Sequence, residues 1–275
     1  MTKRVTNKTL LAKETGVSRA SLYYQPKRDI LDEAIKKEIE NVLSKHKSYG
    51  HKRIALELKR NKKQILRVMK KYGIKPYRRR VKVPRKKDDE GKVAVKWRNE
   101  IITLCPIRPN VVWASDFTYI KFMGRFIYLA TIIDVYTREV IGWNISIHHD
   151  AELVMGALIH AIERTRTVPI YLHSDQGSEY CAKIYEEFVL GKGIIISMSS
   201  KSSPWENPFQ ESFYSQFKVD LGFVSRFDTV EELVEEIYQT IYYYNNSRIH
   251  TKLKMNPVAF KQKYENRLEI VRITV

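Results

Sequence analysis

The most constraining feature of this 275-residue chain is a change of hydrophobic period near Val111. Upstream, apolar residues recur at helical spacing. Downstream, they fall in short runs between turn signals. "VVWASDFTYIKF" predicts a strand, "MGR" a turn, "FIYLATIIDVY" a strand, "TRE" a turn and "VIGWNISIH" a third strand. "DAELVMGALIHAIERT" predicts a helix with Asp150 as its N-cap. A strand in "IYLHSD", a helix in "AKIYEEFVLGK" and a strand in "IIISMS" come next. The polar stretch "SKSSPWENP" leads into a helix, "FQESFYSQFKVDLG". A long helix then starts at Asp228, with Glu231 completing a capping box. The order βββαβαβα implies an α/β domain: a mixed sheet with helices on both faces.

That is the order of a ribonuclease H-like domain, and it gives a frame for two aspartates. Strand interiors are depleted in Asp, yet Asp116 lies inside the first strand and Asp175 at the end of the fourth. The crossover helix returns the fourth strand beside the first. Carboxylates on adjacent strands repel each other unless a cation lies between them. Glu211 follows on a helix, 35 residues intervening after Asp175. Three carboxylates from three elements can hold two Mg²⁺ ions, hard cations that take oxygen ligands, with Mn²⁺ as a substitute. Two such ions suit an in-line displacement at phosphorus. Singly, an Asp at a strand end is more often a cap, and Glu211 a solvated helix residue. Their joint placement carries the reading. Asp134, just before a turn, is expected to be structural.

Charge divides the chain at the same place. Residues 1–110 carry 32 Lys/Arg against 11 Asp/Glu, and residues 111–275 carry 17 against 20. A basic front on a near-neutral body points to a polyanion, most simply nucleic acid. "KTLLAKETGVSRASLYY" has Ala12 and Gly16 at helix-turn-helix spacing. Ile35, Ile39, Val42 and His46 form one helical stripe. Ile54, Leu58, Ile65, Val68, Met69 and Tyr72 complete a small core around two further helices. Lys52, Arg53, Lys62, Lys63 and Arg67 are expected outside, where they could track DNA phosphates. "YRRRVKVPRKKDDEGK", with Arg78, Arg79 and Arg80, reads as a linker or extended DNA-tracking arm. Cys105 and Cys181 are too few for a disulfide framework or a four-cysteine zinc site and are read as buried thiols. The longest apolar run, "FIYLATIIDV", is too short to span a bilayer, and the first residues lack a signal-peptide pattern. No membrane association is expected, and the location is expected to be cytoplasmic, on the nucleoid when DNA is bound.

The segments "PNVVWASDFTYI", "IIDVYTREVIGW", "HSDQGSEY" and "NPFQESFYSQFK" resemble the D-D-E integrase core. Together they are similar to the second-reading-frame transposase of two-frame bacterial insertion sequences, a relative of retroviral integrases. "YYNNSRIHTKLKMNPVAF" resembles that family's C-terminal signature, "SYGHKRIALEL" and "NKKQILRVMKKYGI" its helical DNA-binding module, and "GVSRASLYY" its start. The resemblance implies Asp116, Asp175 and Glu211 as a catalytic, metal-binding triad. It places a basic residue seven positions after the glutamate, here Lys218, about two helical turns on and so on the same face. Asn207 is implied to position the catalytic helix or to contact DNA. Arg248 and His250 are structural or DNA-facing, and the sequence leaves both open. "VAVKWRNEIITLCPIRPN" matches only at its end, and nothing resembles the zipper of the family's first-frame product.

The expected division is a helix-turn-helix-like segment (1–30), a helical DNA-binding module (31–76), a basic linker (77–108), a catalytic core (109–227) and a C-terminal helical extension (228–275). The expected activity is metal-dependent DNA cleavage and strand transfer at insertion-sequence ends. The expected partners are end and target DNA, further copies of the chain, and a first-frame partner or frameshift fusion. Two rivals share the same motifs: a ribonuclease H-like nuclease that does not join strands, and a non-catalytic DNA-binding descendant of a transposase.

Overall fold

The computed structural model describes residues 8–22, 27–78, 96–200 and 203–273. Helix α1 (Lys8–Thr15) stops at Gly16, whose φ of +66° suits a residue without Cβ. The expected second helix of a helix-turn-helix is a single 3₁₀ turn, Arg19–Leu22, in the described residues. Ser18 closes it by accepting from the Ser21 amide at 3.2 Å, a local bond that favours a turn over a continuing helix.

Helix α2 (Lys27–Lys45) begins upstream of the expected division at residue 31. Its stripe of Ile35, Ile39 and Val42 packs on Ile54 and Ala55 of α3 (His51–Glu57) and on Ile65, Val68 and Met69 of α4 (Lys62–Lys71). Asn61 caps α4, accepting from the Lys63 amide at 2.8 Å. Asp32 is covered on this module and takes bonds from Arg67 and Lys71, chiefly Arg67, which hold its carboxyl well below the usual range.

Short turns and crossovers then build the sheet. Strands β1 (Val112–Phe122) and β2 (Arg125–Asp134) are joined by Met123 and Gly124, both at positive φ, as a tight hairpin demands. Strand β3 (Val140–Ser146) adds antiparallel to β2, with an irregularity at Ile132/Ile133. Helix α5 (Ala151–Thr165) starts at the expected cap: Asp150 accepts from the Leu153 amide at 3.0 Å. Gly142 lets α5 lie close to β3, since a Cβ there would sit 2.4 Å from the Ala157 carbonyl oxygen. Strand β4 (Tyr171–Ser174), helix α6 (Lys183–Gly191) and strand β5 (Ile195–Met198) complete a sheet ordered β3-β2-β1-β4-β5. This is the ribonuclease H-like order read from the sequence.

Helices α7 (Pro208–Leu221), α8 (Val230–Asn246) and α9 (Pro257–Ile273) follow. Trp113, Ala130, Ile132 and Ile141 pack under α5 and α6. Ile120, Leu129 and Ile133 pack on the other face, under Phe213 and Phe217 of α7 and Ile237 and Ile241 of α8. The cap of α8 lies one residue beyond the expected one. Thr229 accepts from the Glu232 amide, and Glu232 reaches back to the Asp228 amide. Neither cysteine is fully buried: Cys105 is exposed and Cys181 half-covered, because Cys105 falls in an irregular segment before β1. Among the described residues no helix is long and apolar enough to cross a membrane.

Candidate active site

Strands β1 and β4 run parallel with Val112 opposite Tyr171, Trp113 opposite Leu172 and Ala114 opposite His173. Two residues past that last pair stand Asp116 and Asp175. The side-chain period of two puts Asp116 on the face of Ala114, and Asp175, just past the end of β4, lies near enough for its charge to act on Asp116. That face lies under α7, which carries Glu211.

α7 is fixed to β1 by its own first turns. Gln210 Nε2 donates to the carbonyl oxygens of Ala114 at 2.6 Å and Thr131 at 2.9 Å. The Tyr214 hydroxyl lies 2.7 Å from the Asp116 carbonyl oxygen and accepts from Thr131 Oγ1 at 2.8 Å. Gln210 and Tyr214 are four apart and share a face, so Glu211, one residue round, is aimed beside them. Asn207 Nδ2 donates to the Ser115 carbonyl oxygen at 3.2 Å, leaving its buried Oδ1 without a partner. Asn207 therefore ties the start of α7 to β1.

Asp116 feels the other two carboxylates. Burial raises its pKa first, and the charges of Asp175 and then Glu211 raise it further, to about 7. The Phe117 amide, which donates to Asp116 at 2.8 Å, and the Lys218 ammonium oppose the rise. The Asp175 carboxyl is also raised, by burial and then by Glu179, against a 3.0 Å bond from the Gly177 amide. Gly177 has no room for a side chain: a Cβ would lie 2.8 Å from Glu179 Oε2 and 3.1 Å from Asp175 Oδ1. Lys218 places its Nζ 5.4 Å from the centre of the Tyr119 ring, at the edge of β1 near Asp116.

Among the described residues no group of three His, Cys, Asp or Glu side chains is gathered closely enough to hold a metal ion as it stands. The donor chemistry nonetheless fits a hard divalent cation. The three groups are all carboxylates, and the repulsion that lifts Asp116 is what a cation would relieve.

The remaining sequence candidates separate by burial. Arg248 is 2% exposed, with Nε on Asp220 at 2.6 Å and a second bond to Gln216. It is an internal ion-pair residue. His250 donates its amide to Met255 O, and its ring is held neutral, with a pKa lowered to about 4 by burial. That makes it structural as well. Arg53, expected outside, is a docking residue, donating Nε to Ile249 O at 2.9 Å. Ser48 on Asp220 and the Tyr49 hydroxyl on the Ile249 amide complete the seam between the helical module and the core. Arg67 is tied to Asp32. Lys52, Lys62, Lys63 and Arg78 are exposed, whereas Arg79 and Arg80 lie outside the described residues. Asp134 takes bonds from the amides of Asn110, Tyr136 and Thr137 and from the Thr137 hydroxyl, fixing the turn after β2.

Sequence reasoning missed Gln210, Tyr214 and the pair His149–Glu179, whose Nδ1 and Oε1 are 2.8 Å apart beside the Asp175 loop. It also missed that the segment after residue 95 lines the sheet edge. There Trp97 Nε1 donates to Glu186, the Glu100 amide to Ser197 Oγ, and Asn99 to Glu206. No local pattern marks these, because every partner is distant in sequence.

Two family models, each described as an integrase core domain, match residues 106–204 and 192–257. An insertion element IS600 31 kDa protein of Shigella sonnei is 32% identical over 265 residues, covering 90% of this chain and 96% of that protein. A transposase for insertion sequence element IS904 of Lactococcus lactis is 35% identical over 160 residues, 58% of this chain. The match spans 63% of that relative's length. Among solved structures, a simian T-cell lymphotropic virus intasome complex aligns over 82% of this chain and 74% of its own, with a TM-score of 0.50 and 14% identity. At that identity the likeness concerns the fold alone.

Proposed function

Since the chain belongs to the D-D-E transposase and integrase superfamily, we propose that it cuts and joins DNA at insertion-element ends, with Asp116, Asp175 and Glu211 as its catalytic set. The observation that supports this is the parallel β1–β4 pairing, which ends just before Asp116 and Asp175, together with the charges of Asp175 and Glu211 felt at Asp116, under a helix pinned to β1 by Gln210 and Tyr214. Asp116, Asp175 and Glu211 are the residues that would hold Mg²⁺, or Mn²⁺ in its place. When bound, two such ions activate an attacking oxygen and stabilise a leaving one at phosphorus.

The chain's own residues supply position and charge. The sheet and α7 hold the three carboxylates on rigid elements, so little reorganisation is needed when the phosphate arrives. Lys218 sits where it can hold a phosphate oxygen next to Asp116. Lys52, Lys62, Lys63 and Arg78 offer an exposed basic surface for the flanking duplex. Water attacks first at the element's end and frees a 3′-OH, and that hydroxyl then attacks a second phosphodiester. Two ends must meet, so the working form is an assembly of copies, with a first-frame product as a further partner.

The test is nicking of DNA bearing the element's own ends by the full chain in Mg²⁺ or Mn²⁺. Site-specific nicks by wild type, lost in both Asp175→Asn and Glu211→Gln, are expected. Folded protein that binds the DNA and gives no metal-dependent nick would count against the reading.

A further inference from the structure

We propose that the outer ends of β1 and β2 form a stacking platform for unpaired DNA bases at the open edge of β1, across the sheet from the three carboxylates. The idea rests on the reading of the chain as a DNA-cutting enzyme and adds a second contact to its site. Tyr119 pairs with Tyr128 across the hairpin, and Lys121 with Phe126. Residues directly opposite in an antiparallel pair share a face. Nearer the middle of the sheet that face carries Trp113, Ala130 and Ile132 beneath α5 and α6. At the hairpin end it is open, with Tyr119 59% and Phe126 45% exposed.

The rings form a continuous row. Tyr119 meets Phe126 edge-on with centroids 5.3 Å apart, Phe126 lies 6.4 Å from Tyr128, and Tyr128 lies 4.9 Å from His149. Cations border the row. Lys121 is on the same face, Arg125 follows the turn, and Lys218 lies over the Tyr119 ring. From Phe117 to Ile133 the chain has no carboxylate. Flat apolar rings edged by positive charge match single-stranded nucleic acid, whose bases stack while its phosphates pair with the cations. A second copy of the chain fits less well, because a self-complementary contact would set Lys121, Arg125 and Lys218 against themselves.

The position is also right for a cut strand. Tyr119 is three residues past Asp116 on β1, on the order of 10 Å along the strand and on the opposite face. Strand β4 pairs with β1 only as far as Ala114, so the two faces meet at the open edge of β1, where Lys218 of α7 reaches the Tyr119 ring. A frayed end that passes round this open edge would leave its phosphate at the carboxylates and its later bases on the rings, with Lys218 between the two places. Stacking tolerates any base, so the platform would hold an opened end without reading its sequence.

The test compares binding of a short oligothymidylate with that of an abasic chain of equal length and charge, without divalent cation. Full-length wild type should prefer the oligothymidylate by roughly tenfold, the scale of one or two stacked bases. Tyr119→Ala and Phe126→Ala should each lose most of that preference while keeping their affinity for the abasic chain, and Tyr119→Phe should retain it. Absence of the preference in wild type, or its survival in both alanine variants, would overturn the platform. So would a Tyr119→Ala protein whose oligomeric state shifts while its preference stays. Cutting without the preference would remove the platform and leave the enzyme. The preference without cutting would do the reverse.

Discussion

Replacing Asp116 with asparagine should stabilise the metal-free protein increasingly as pH rises from about 4 to about 7, and fully above that. In that state the Asp116 carboxyl is covered and faces Asp175 and Glu211, which together raise its pKa from 3.8 to about 7. A carboxyl raised in the folded state binds its proton more tightly there than in the unfolded chain. Its contribution to stability is therefore fully present below pH 3.8 and is lost as pH rises through about 7. At about 1.4 kcal/mol per pKa unit, the full loss is on the order of 4 kcal/mol, and partial contact with water reduces it to roughly 1–3 kcal/mol. Asparagine keeps an acceptor for the Phe117 amide and never ionises. In chelator, Asp116→Asn should match wild type near pH 4 and melt higher near pH 8, by ~2–4 °C per kcal/mol for a chain of this size. Saturating Mg²⁺ should raise the wild-type midpoint and move the variant's little. Thermal unfolding followed by circular dichroism across pH reads all of this. An Asp116→Asn protein less stable than wild type near pH 8, or one whose advantage does not change with pH, would refute the reasoning.

Arg248→Ala should destabilise by about 3–5 kcal/mol, because it strands Asp220 in a buried pair; urea unfolding measures it. Lys63→Ala should leave stability within about 0.5 kcal/mol of wild type and lower the salt dependence of DNA binding by about one phosphate contact, read by titrating DNA at several salt concentrations. Tyr214→Phe should cost about 1 kcal/mol of stability by removing the hydroxyl that meets the Asp116 and Leu129 carbonyls, while Thr131 keeps its bond to Gln210. Its nicking rate should fall at temperatures where the variant is still folded, since α7, which carries Glu211, loses one of its anchors to β1.

The sheet was legible because its signals are local. The Met123–Gly124 turn, the Asp150 cap and the hydrophobic runs all lie within a few residues of what they specify. The strand neighbours followed from crossover geometry, and with them the juxtaposition of Asp116 and Asp175. What was illegible depends on distant partners. Arg53 and Arg248 look like any basic surface residue until Ile249 and Asp220 are known to face them. Gln210 and Tyr214 look like ordinary helix residues until the carbonyls of Ala114 and Asp116 lie beneath them. The cap of α8 slipped by one because Asp228 and Thr229 are both good caps, and only the backbone path selects Thr229.

The most direct measurement supplies a pre-cut element end with a free 3′-OH, together with circular target DNA and Mg²⁺, to wild type and to Glu211→Gln. The account expects wild type to join the end covalently to the target and Glu211→Gln to join none. Hydrolysis of the DNA by wild type with no joined product, in the presence of any first-frame partner, would contradict it and leave a nuclease in its place.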